Sequence, residues 1–532
     1  MTQELLSVNE ASQWASKFLG RIVTSSNITY LVQYAKIRKY NNGNGNLQVD
    51  KTELKDYYDK TILKKQEAWK RRLGNDLNWN LSFAHLRESD TTKHVHRLHP
   101  YKGKFIPQLV EYFLDSHLNT FKKKIFFKEG DIILDPFMGS GTTLIQSSEL
   151  GIHSIGIDVS EFNCLISEVK LGKYDLYKLS KTVRDVCFKT REFSQNVFDD
   201  SFDNELKEGL NDFNKKFFPN PEFKNKVRRG EINEMVYGEE KLKQFLEENK
   251  NFFEKNGTGD KSHLLDEKEM GSFLSKWFSK RVKQELFYYL KHIEDIDQKE
   301  LRNVMKIILS RAARSCRATQ HSDLATLKEP QVGPYYCRKH KKLCTPINSI
   351  IKHLIRYTYD TIRRIEEFSK LRKNVNSEVI HADSRKVDIP KEIEKKNQEF
   401  LRILKNKKID GVFTSPPYVG QIDYHEQHAY AYELFDINRK DGEEIGPLFK
   451  GQGEKAKQDY IKGISEVLRN TSKFIKEEGD FFIVANDKYN LYPLIAEKSG
   501  LKIVDKFKRP VLNRTERDRQ PYAEIIFHMR KV

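Results

Sequence analysis

The sequence predicts an α/β protein whose sheet is interrupted by a large, mostly helical insertion and preceded by a small helical unit. Three observations carry this prediction. Residues 131–158 read as strand, glycine turn, helix and strand, from Asp131-Ile-Ile-Leu-Asp135 through Gly139-Ser-Gly141 to Ile155-Gly-Ile-Asp158. Short apolar strands then recur at Ser377–Ala382, Ile409–Thr414, Asp480–Ala485, Leu501–Phe507 and Ala523–Met529. Between them, residues 165–375 are rich in Lys and Glu, with apolar residues every three or four positions, as in RNVMKIILSRAARSC and NSIIKHLIRYTYDTIRRIEEF.

Composition bounds the function. The 532 residues carry 94 Lys and Arg against 76 Asp and Glu, a net charge of +18. A polar chain (mean hydropathy −0.70) with 33 Phe and 24 Tyr is too aromatic to be disordered. No apolar run is long enough for a membrane helix, and the first residues, MTQELLSVNEASQWASKF, do not read as a secretory signal. Five cysteines, an odd number in a chain this long, do not make a disulfide framework, and a reducing cytoplasm is the expected compartment. The basic balance points to a polyanionic partner.

In chain order, residues 1–60 form the small helical unit, with a polar turn at Asn41-Asn-Gly-Asn-Gly-Asn46, and residues 61–95 a charged connector. Residues 96–164 and 376–532 form the α/β domain, and 165–375 the insertion, in which 251–271 reads as an exposed loop. Within 1–60, the stretches Leu6–Ala11, Thr24–Ile37 and Leu47–Tyr57 resemble a winged helix-turn-helix of the excisionase/MerR type. Ser25 or Ser26 would cap its recognition helix, and the Asn/Gly tract would be the wing. A three-helix accessory bundle without DNA contact is the competing reading.

The chemistry concentrates in two loops. In the first, Gly139 and Gly141 let the backbone approach a ligand closely, the helix N-terminus offers free N–H groups, and Asp158, about 20 residues on, suits the two hydroxyls of a ribose. The dinucleotide fingerprint is incomplete, because Leu144 stands where a third glycine belongs, and no Gly-Lys-Ser/Thr follows for a Walker A loop. In the second, Thr414-Ser415-Pro416-Pro417-Tyr418 ends an apolar strand, and two prolines stop the ladder where α/β sheets bind ligands.

Asp135-Pro-Phe137-Met-Gly139-Ser-Gly141-Thr142-Thr resembles motif I of the S-adenosylmethionine-dependent amino methyltransferases of DNA, and Ser415-Pro416-Pro417-Tyr418 resembles motif IV of their N4-cytosine branch. His99-Pro-Tyr101-Lys-Gly-Lys104-Phe-Ile-Pro107 is similar to motif X, Asp383 to the acid that receives the adenine amino group, and Asn486-Asp487 to motif VI. The resemblance covers residues 96–163 and 377–532. It implies a Rossmann-like sheet of the class I methyltransferases, with S-adenosylmethionine held by Tyr101, Lys104, Asp135, Phe137, Gly139, Gly141, Thr142, Asp158 and Asp383. It also implies catalysis by Ser415, Pro416, Pro417 and Tyr418. Ser415 and the Pro416 carbonyl would hold the two N–H bonds of an exocyclic amine, and Tyr418 would stack on a base swung out of the duplex. C5-cytosine chemistry, which uses a cysteine usually placed after proline, is not supported, since the five cysteines follow Asn163, Val186, Ser315, Tyr336 and Leu343.

The expected function is therefore methylation of the N4 amine of cytosine at a specific site in double-stranded DNA. The expected setting is a restriction–modification or related defence system, with a cognate endonuclease acting separately. N6-adenine is the alternative target, and a catalytically silent DNA-binding specificity subunit is the alternative class. Recognition is expected from the N-terminal unit, the insertion or core loops, with Arg311-Ala-Ala-Arg314-Ser-Cys-Arg317 and Arg338-Lys-His-Lys-Lys342 as candidate phosphate contacts. Cys337-x2-His340-x3-Cys344, with Cys316 or His321 upstream, has zinc-like spacing but lies among lysines, and no metal is assigned on sequence alone.

Overall fold

Alternation of apolar side chains along short strands organises the centre of the fold. In the computed structural model, which describes residues 4–19, 23–34, 36–41, 46–60, 64–83, 86, 88–119, 121–256, 272–323, 327–511 and 521–532, the chain forms two units. The larger comprises Asn75–Arg191, Leu286–Arg314 and Ile351–Val532, and the smaller Met1–Gly74, Glu192–Glu285 and Ser315–Ile350.

The larger unit is built on seven strands: β1 (Ile132–Asp135), β2 (His153–Asp158), β3 (Ser377–His381), β4 (Ile409–Thr414), β5 (Ile475–Ala485), β6 (Leu501–Pro510) and β7 (Ala523–Lys531). Their order is β6-β7-β5-β4-β1-β2-β3. The run from β5 to β3 is parallel, and β7 lies antiparallel to both β5 and β6. Because successive side chains face opposite sides, Ile132 and Leu134 join one core with Val412, Phe481 and Ile483, whereas Ile133 joins the other with Phe413, Phe482 and Val484. Helix α1 (Pro107–Leu114) covers the second face through Leu109 and Phe113. Helices covering both faces explain why all four residues of β1 are buried. Helices α2 (Thr142–Leu150) and α3 (Glu161–Leu171) follow β1 and β2. The sheet is mixed and mostly parallel, as expected for a methyltransferase fold.

The smaller unit begins with strand Leu5–Ser7, helices Val8–Leu19 and Ser25–Gln33, strands Tyr40–Asn41 and Leu47–Asp50, and helix Lys51–Tyr58. Ala11, Ala15, Ile28, Leu31, Val49 and Leu54 form its core. The helix Ser25–Gln33 is capped by Thr24, not by Ser25 or Ser26. Thr24 and Asn27 exchange side-chain-to-backbone hydrogen bonds in a capping box, while the Ser25 hydroxyl donates to Asn9 at 2.6 Å. Asn42–Gly45 of the expected wing lie outside the described residues. A second core joins helices Ser201–Phe217, Glu222–Arg229 and Glu234–Glu248 to a two-stranded hairpin, Tyr335–Cys337 and Lys342–Cys344.

The boundaries drawn at 164/165 and 375/376 are not where the units divide. Helix Lys299–Ser315, up to Arg314, and helix Ile351–Ser369 belong to the larger unit. They are joined by Arg311, whose guanidinium is 6% exposed, donates to Thr361 and Asp360 at 2.8 and 2.5 Å, and lies over the Tyr357 ring. Arg311 therefore braces two helices and is not a phosphate contact, and Arg317 is also buried. The connector likewise divides. Trp69, on helix Lys64–Leu73, is buried and belongs to the smaller unit, whereas Asn78 belongs to the larger and donates its N–H to the Lys508 carbonyl in β6. Residues 251–256 of the expected loop are helical, within the helix Lys250–Asn256, and 257–271 lie outside the described residues. Among the described residues no helix is long and apolar enough to cross a membrane.

Candidate active site

A cleft open to solvent lies at the carboxyl ends of β1, β2, β3 and β4. Tyr101, Lys104, Asp135, Phe137, Gly139, Thr142, Asp158, Asp383, Ser415 and Pro417 line it together. Gly141, Pro416 and Tyr418 are not among its lining residues.

The glycine turn is shaped by close approach. Gly139 and Gly141 have φ of +51° and +75°, in the left-handed region. A Cβ on Gly139 would sit 2.9 Å from the Tyr101 hydroxyl, and one on Gly141 would sit 2.8 Å from the Ser167 hydroxyl. A side chain at either position would be strained by its backbone angle and crowded by these hydroxyls, and the two glycine N–H groups are taken by the Asp158 carboxylate and the Met138 carbonyl. Asp158 holds this turn from β2. Its carboxylate accepts from the N–H groups of Gly139 and Ser160 at 2.9 and 2.8 Å and from Asn163 at 3.1 Å. One of roughly four acceptor positions remains for a ligand. Burial lifts Asp158 to a pKa of about 6 against the opposing pull of these hydrogen bonds.

Asp135 ends β1 almost fully buried and accepts from Phe137 N–H at 3.1 Å and the Thr414 hydroxyl at 2.6 Å. Burial raises its pKa to about 6 also. The two signature loops are thus physically joined, since Thr414 immediately precedes Ser415.

Two expected cofactor residues are otherwise engaged. Asp383 follows β3, but Arg385 holds both its oxygens through Nε and Nη2 at 2.9–3.1 Å. Burial pushes its pKa up, and the Arg385 guanidinium more than offsets this, holding it below the usual range. Asp383 still lines the cleft, so an adenine amino group there would share its carboxylate with Arg385. The Lys104 ammonium donates to the His96 carbonyl at 2.6 Å, and burial lowers it to a pKa of about 8. His99 anchors the same segment, with its buried ring 2.8 Å from the Ser310 hydroxyl.

Tyr418 is fixed through its hydroxyl, which donates to Glu524 on β7 at 2.9 Å. Burial and the Glu524 carboxylate push the phenol well above its ordinary pKa. Asp487 closes β5 as expected, but it caps the turn into helix Tyr492–Ser499, accepting from Leu491 N–H at 2.6 Å.

Sequence reasoning missed the segment after Tyr418. Tyr424, His425 and Glu444 line the cleft, and Tyr424 stacks on Tyr101 with centroids 5.8 Å apart. Glu444 accepts from His425 N–H at 3.0 Å, while its other oxygen is buried with no hydrogen-bond partner among the described residues. Burial, with Asp423 nearby, raises it to a pKa of about 8. The signal available was the aromatic crowding of Tyr424-His-Glu-Gln-His-Ala-Tyr430-Ala-Tyr432.

A glycine cradle, a strand-end acid and a Ser-Pro-Pro-Tyr loop in one cleft define an amino methyltransferase of DNA, and the relatives of the chain agree. It belongs to the N6/N4 DNA methyltransferases of type II restriction–modification systems, whose methyl donor is S-adenosylmethionine. The N6/N4 DNA methylase family model matches residues 18–169. Type II methyltransferase M.MjaII of Methanocaldococcus jannaschii is 53% identical over 528 residues, 99% of this chain and 97% of that protein. M.MvaI of Kocuria varians is 28% identical over 125 residues (23% of this chain, 26% of that protein). M.BsoBI of Geobacillus stearothermophilus is 31% identical over 101 residues (19% and 18%). The site fits this cofactor in its chemistry: the turn around Gly139 brings backbone close to Tyr101, and the cleft beside it sets the Asp158 carboxylate among the rings of Tyr101 and Phe137.

Proposed function

We propose that the chain methylates the N4 amine of cytosine at a specific site in duplex DNA. The observation that carries this reading is Ser415, a hydroxyl directly after β4 and in the cleft shared with Gly139 and Asp158. When bound, S-adenosylmethionine supplies an electrophilic methyl group on a sulfonium. Gly139 and Thr142 would hold its amino-acid end at the start of α2, Asp158 would accept one ribose hydroxyl, and Tyr101 and Phe137 would wall it in.

An exocyclic amine is a poor nucleophile because its lone pair is delocalised into the ring. The Ser415 hydroxyl and Pro416 carbonyl accept its two N–H bonds, turning the lone pair out of the ring plane and along the transfer axis. The Asp135–Thr414 bond sets where this pair of acceptors stands relative to the glycine turn. Tyr418, with its hydroxyl restrained by Glu524, presents its ring to the flipped base.

For duplex binding, we assign the phosphate contacts to the smaller unit. Arg338 and Lys339 are exposed on the hairpin turn, and Lys339–Lys342 share a hollow with Tyr34, at the end of helix Ser25–Gln33, and Lys224. A cognate endonuclease acting on the same sequence would be the separate partner.

The test is nucleoside mass spectrometry of DNA from a host expressing the chain. N4-methylcytosine is expected. N6-methyladenine would overturn the choice of base, and neither modification, with cofactor binding intact, would favour a silent specificity subunit.

A further inference from the structure

Four side chains from two separate segments of the smaller unit converge on one point, and none of them is assigned to methyl transfer. Cys337 ends the first strand of the hairpin, His340 sits in its turn, Cys344 ends the second strand, and His321 comes from the segment before the hairpin. One ligand atom from each lies within 4.8 Å of all the others. Cys337 Sγ is 3.9 Å from His321 Nδ1, and Cys344 Sγ is 3.5 Å from His340 Nδ1. Tetrahedral zinc with Zn–S near ~2.3 Å and Zn–N near ~2.05 Å would set an S···N edge of about 3.6 Å. The observed edges bracket that value.

We propose that His321, Cys337, His340 and Cys344 bind one structural Zn²⁺. Two sulfurs and two imidazoles in a closed tetrahedron form a ligand set suited to zinc and leave no open position for catalysis. Both thiols would release their protons to solvent as the metal binds. The surroundings match a ligand shell. The backbone N–H of His340 points at Cys337 Sγ at 3.4 Å, as suits a metal-bound thiolate. The Tyr335 hydroxyl lies 2.6 Å from His321 Nδ1 and also accepts from the His321 backbone N–H at 3.0 Å. Coordination would displace the first of these bonds and leave the second to hold the segment. The structure also selects His321 over Cys316, whose Sγ instead faces the Ser349 carbonyl at 3.7 Å.

The fold supplies a reason for a metal here. Each hairpin strand is three residues long, too short for independent stability, and its turn places Lys341 at φ +57°. One side of the hairpin is docked: Asn214 exchanges two 2.9 Å hydrogen bonds with the Leu343 backbone, and Lys341 pairs with Glu234. The other side carries the four ligands. A metal there would fix the basic turn Arg338–Lys342 on the face of Tyr335, Cys337 and Cys344, opposite the Tyr336 and Leu343 side chains that join the helical core, independently of methyl transfer.

Elemental analysis of the purified full chain, prepared without chelator, tests this. About one zinc per chain is expected, and Co²⁺ exchanged into the site should give the visible absorption of tetrahedral thiolate coordination. Cys337→Ser and Cys344→Ser should each lose most of the zinc, whereas Cys316→Ser should retain it. Should the variants fail to fold, wild-type protein stripped by a chelator should melt at lower temperature and recover on adding Zn²⁺. Three results would each overturn the proposal: neither zinc nor a Co²⁺ spectrum in reduced protein, a Cys337–Cys344 disulfide in its place, or a zinc content unmoved by both cysteine variants. The last would send the metal to the other cluster, His94, His96 and Glu149.

Discussion

The Thr414 hydroxyl on β4 donates to the Asp135 carboxylate on β1 at 2.6 Å, a bond between residues 279 positions apart. Through it, the strand that ends in the cofactor turn is tied to the strand that ends in Ser415. Thr414→Val should destabilise the protein by ~1–3 kcal/mol, since a buried acceptor loses its donor. The cost should depend on pH. Burial raises Asp135 to about 6 from 3.8, so its contribution to stability is present below about 4 and lost as pH rises through 6. Thr414 opposes that rise, and without it Asp135 titrates higher. Chemical denaturation should therefore find the Val variant more compromised at pH 7.5 than at pH 4.5; an equal deficit at both would exclude this role.

Asp158 should make cofactor affinity pH-dependent. A ribose hydroxyl would donate to the ionised carboxylate, and burial lifts this group to a pKa of about 6. Calorimetric titration should find S-adenosylmethionine binding tightening from pH 5 to pH 7. Asp158→Asn should bind at least tenfold more weakly and show a flatter profile. Asn is preferable to Ala because it retains an acceptor for the Gly139 N–H.

Ser415→Ala should lower the rate of methyl transfer at least tenfold, ~1.4 kcal/mol or more in the barrier, with DNA affinity nearly unchanged. Tyr418→Phe removes only the tether to Glu524 and should cost less than Tyr418→Ala, which removes the stacking face. Single-turnover rates alongside DNA Kd values separate the two effects. Full activity in Ser415→Ala would dismiss the orienting role.

Glu444 is a carboxyl whose pKa burial raises from 4.5 to about 8. The folded protein therefore keeps a proton that the unfolded chain loses, and this contribution to stability is lost as pH rises from about 4.5 through 8. Glu444→Gln keeps an acceptor for His425 N–H and removes the titration. Its thermal midpoint should fall less than wild type's between pH 6 and pH 9, and parallel curves would show that Glu444 titrates normally.

What could be read from sequence divides along a physical line. Strands β3, β4, β6 and β7 stand where short apolar runs placed them, because a buried strand writes its own pattern locally. The Gly139 turn was legible for the same reason, since only glycine fits beside Tyr101. Long-range pairings left no such trace. Glu524 meets Tyr418 across 106 residues, and Arg385 pairs with the Asp383 carboxylate at the edge of the cleft. Arg311 reads as surface charge until Asp360, 49 residues on, closes over it. A basic run does not say which of its members has a buried partner.

That distinction sharpens the expectation for DNA binding. Arg311 is committed to Asp360 and Thr361, and its replacement should damage folding and every ligand affinity together. Arg338 and Lys339 are exposed on the hairpin turn, whereas Lys341 is paired with Glu234. Charge reversal at Arg338 and Lys339 should weaken binding to specific and non-specific duplexes alike, because phosphate contacts carry no sequence information. The log–log salt slope should flatten by about 0.9 for each phosphate that is no longer neutralised. Cofactor affinity should stay at the wild-type value, since no residue of this turn lines the cleft. An unchanged salt slope in the double variant would place the phosphate-binding surface elsewhere.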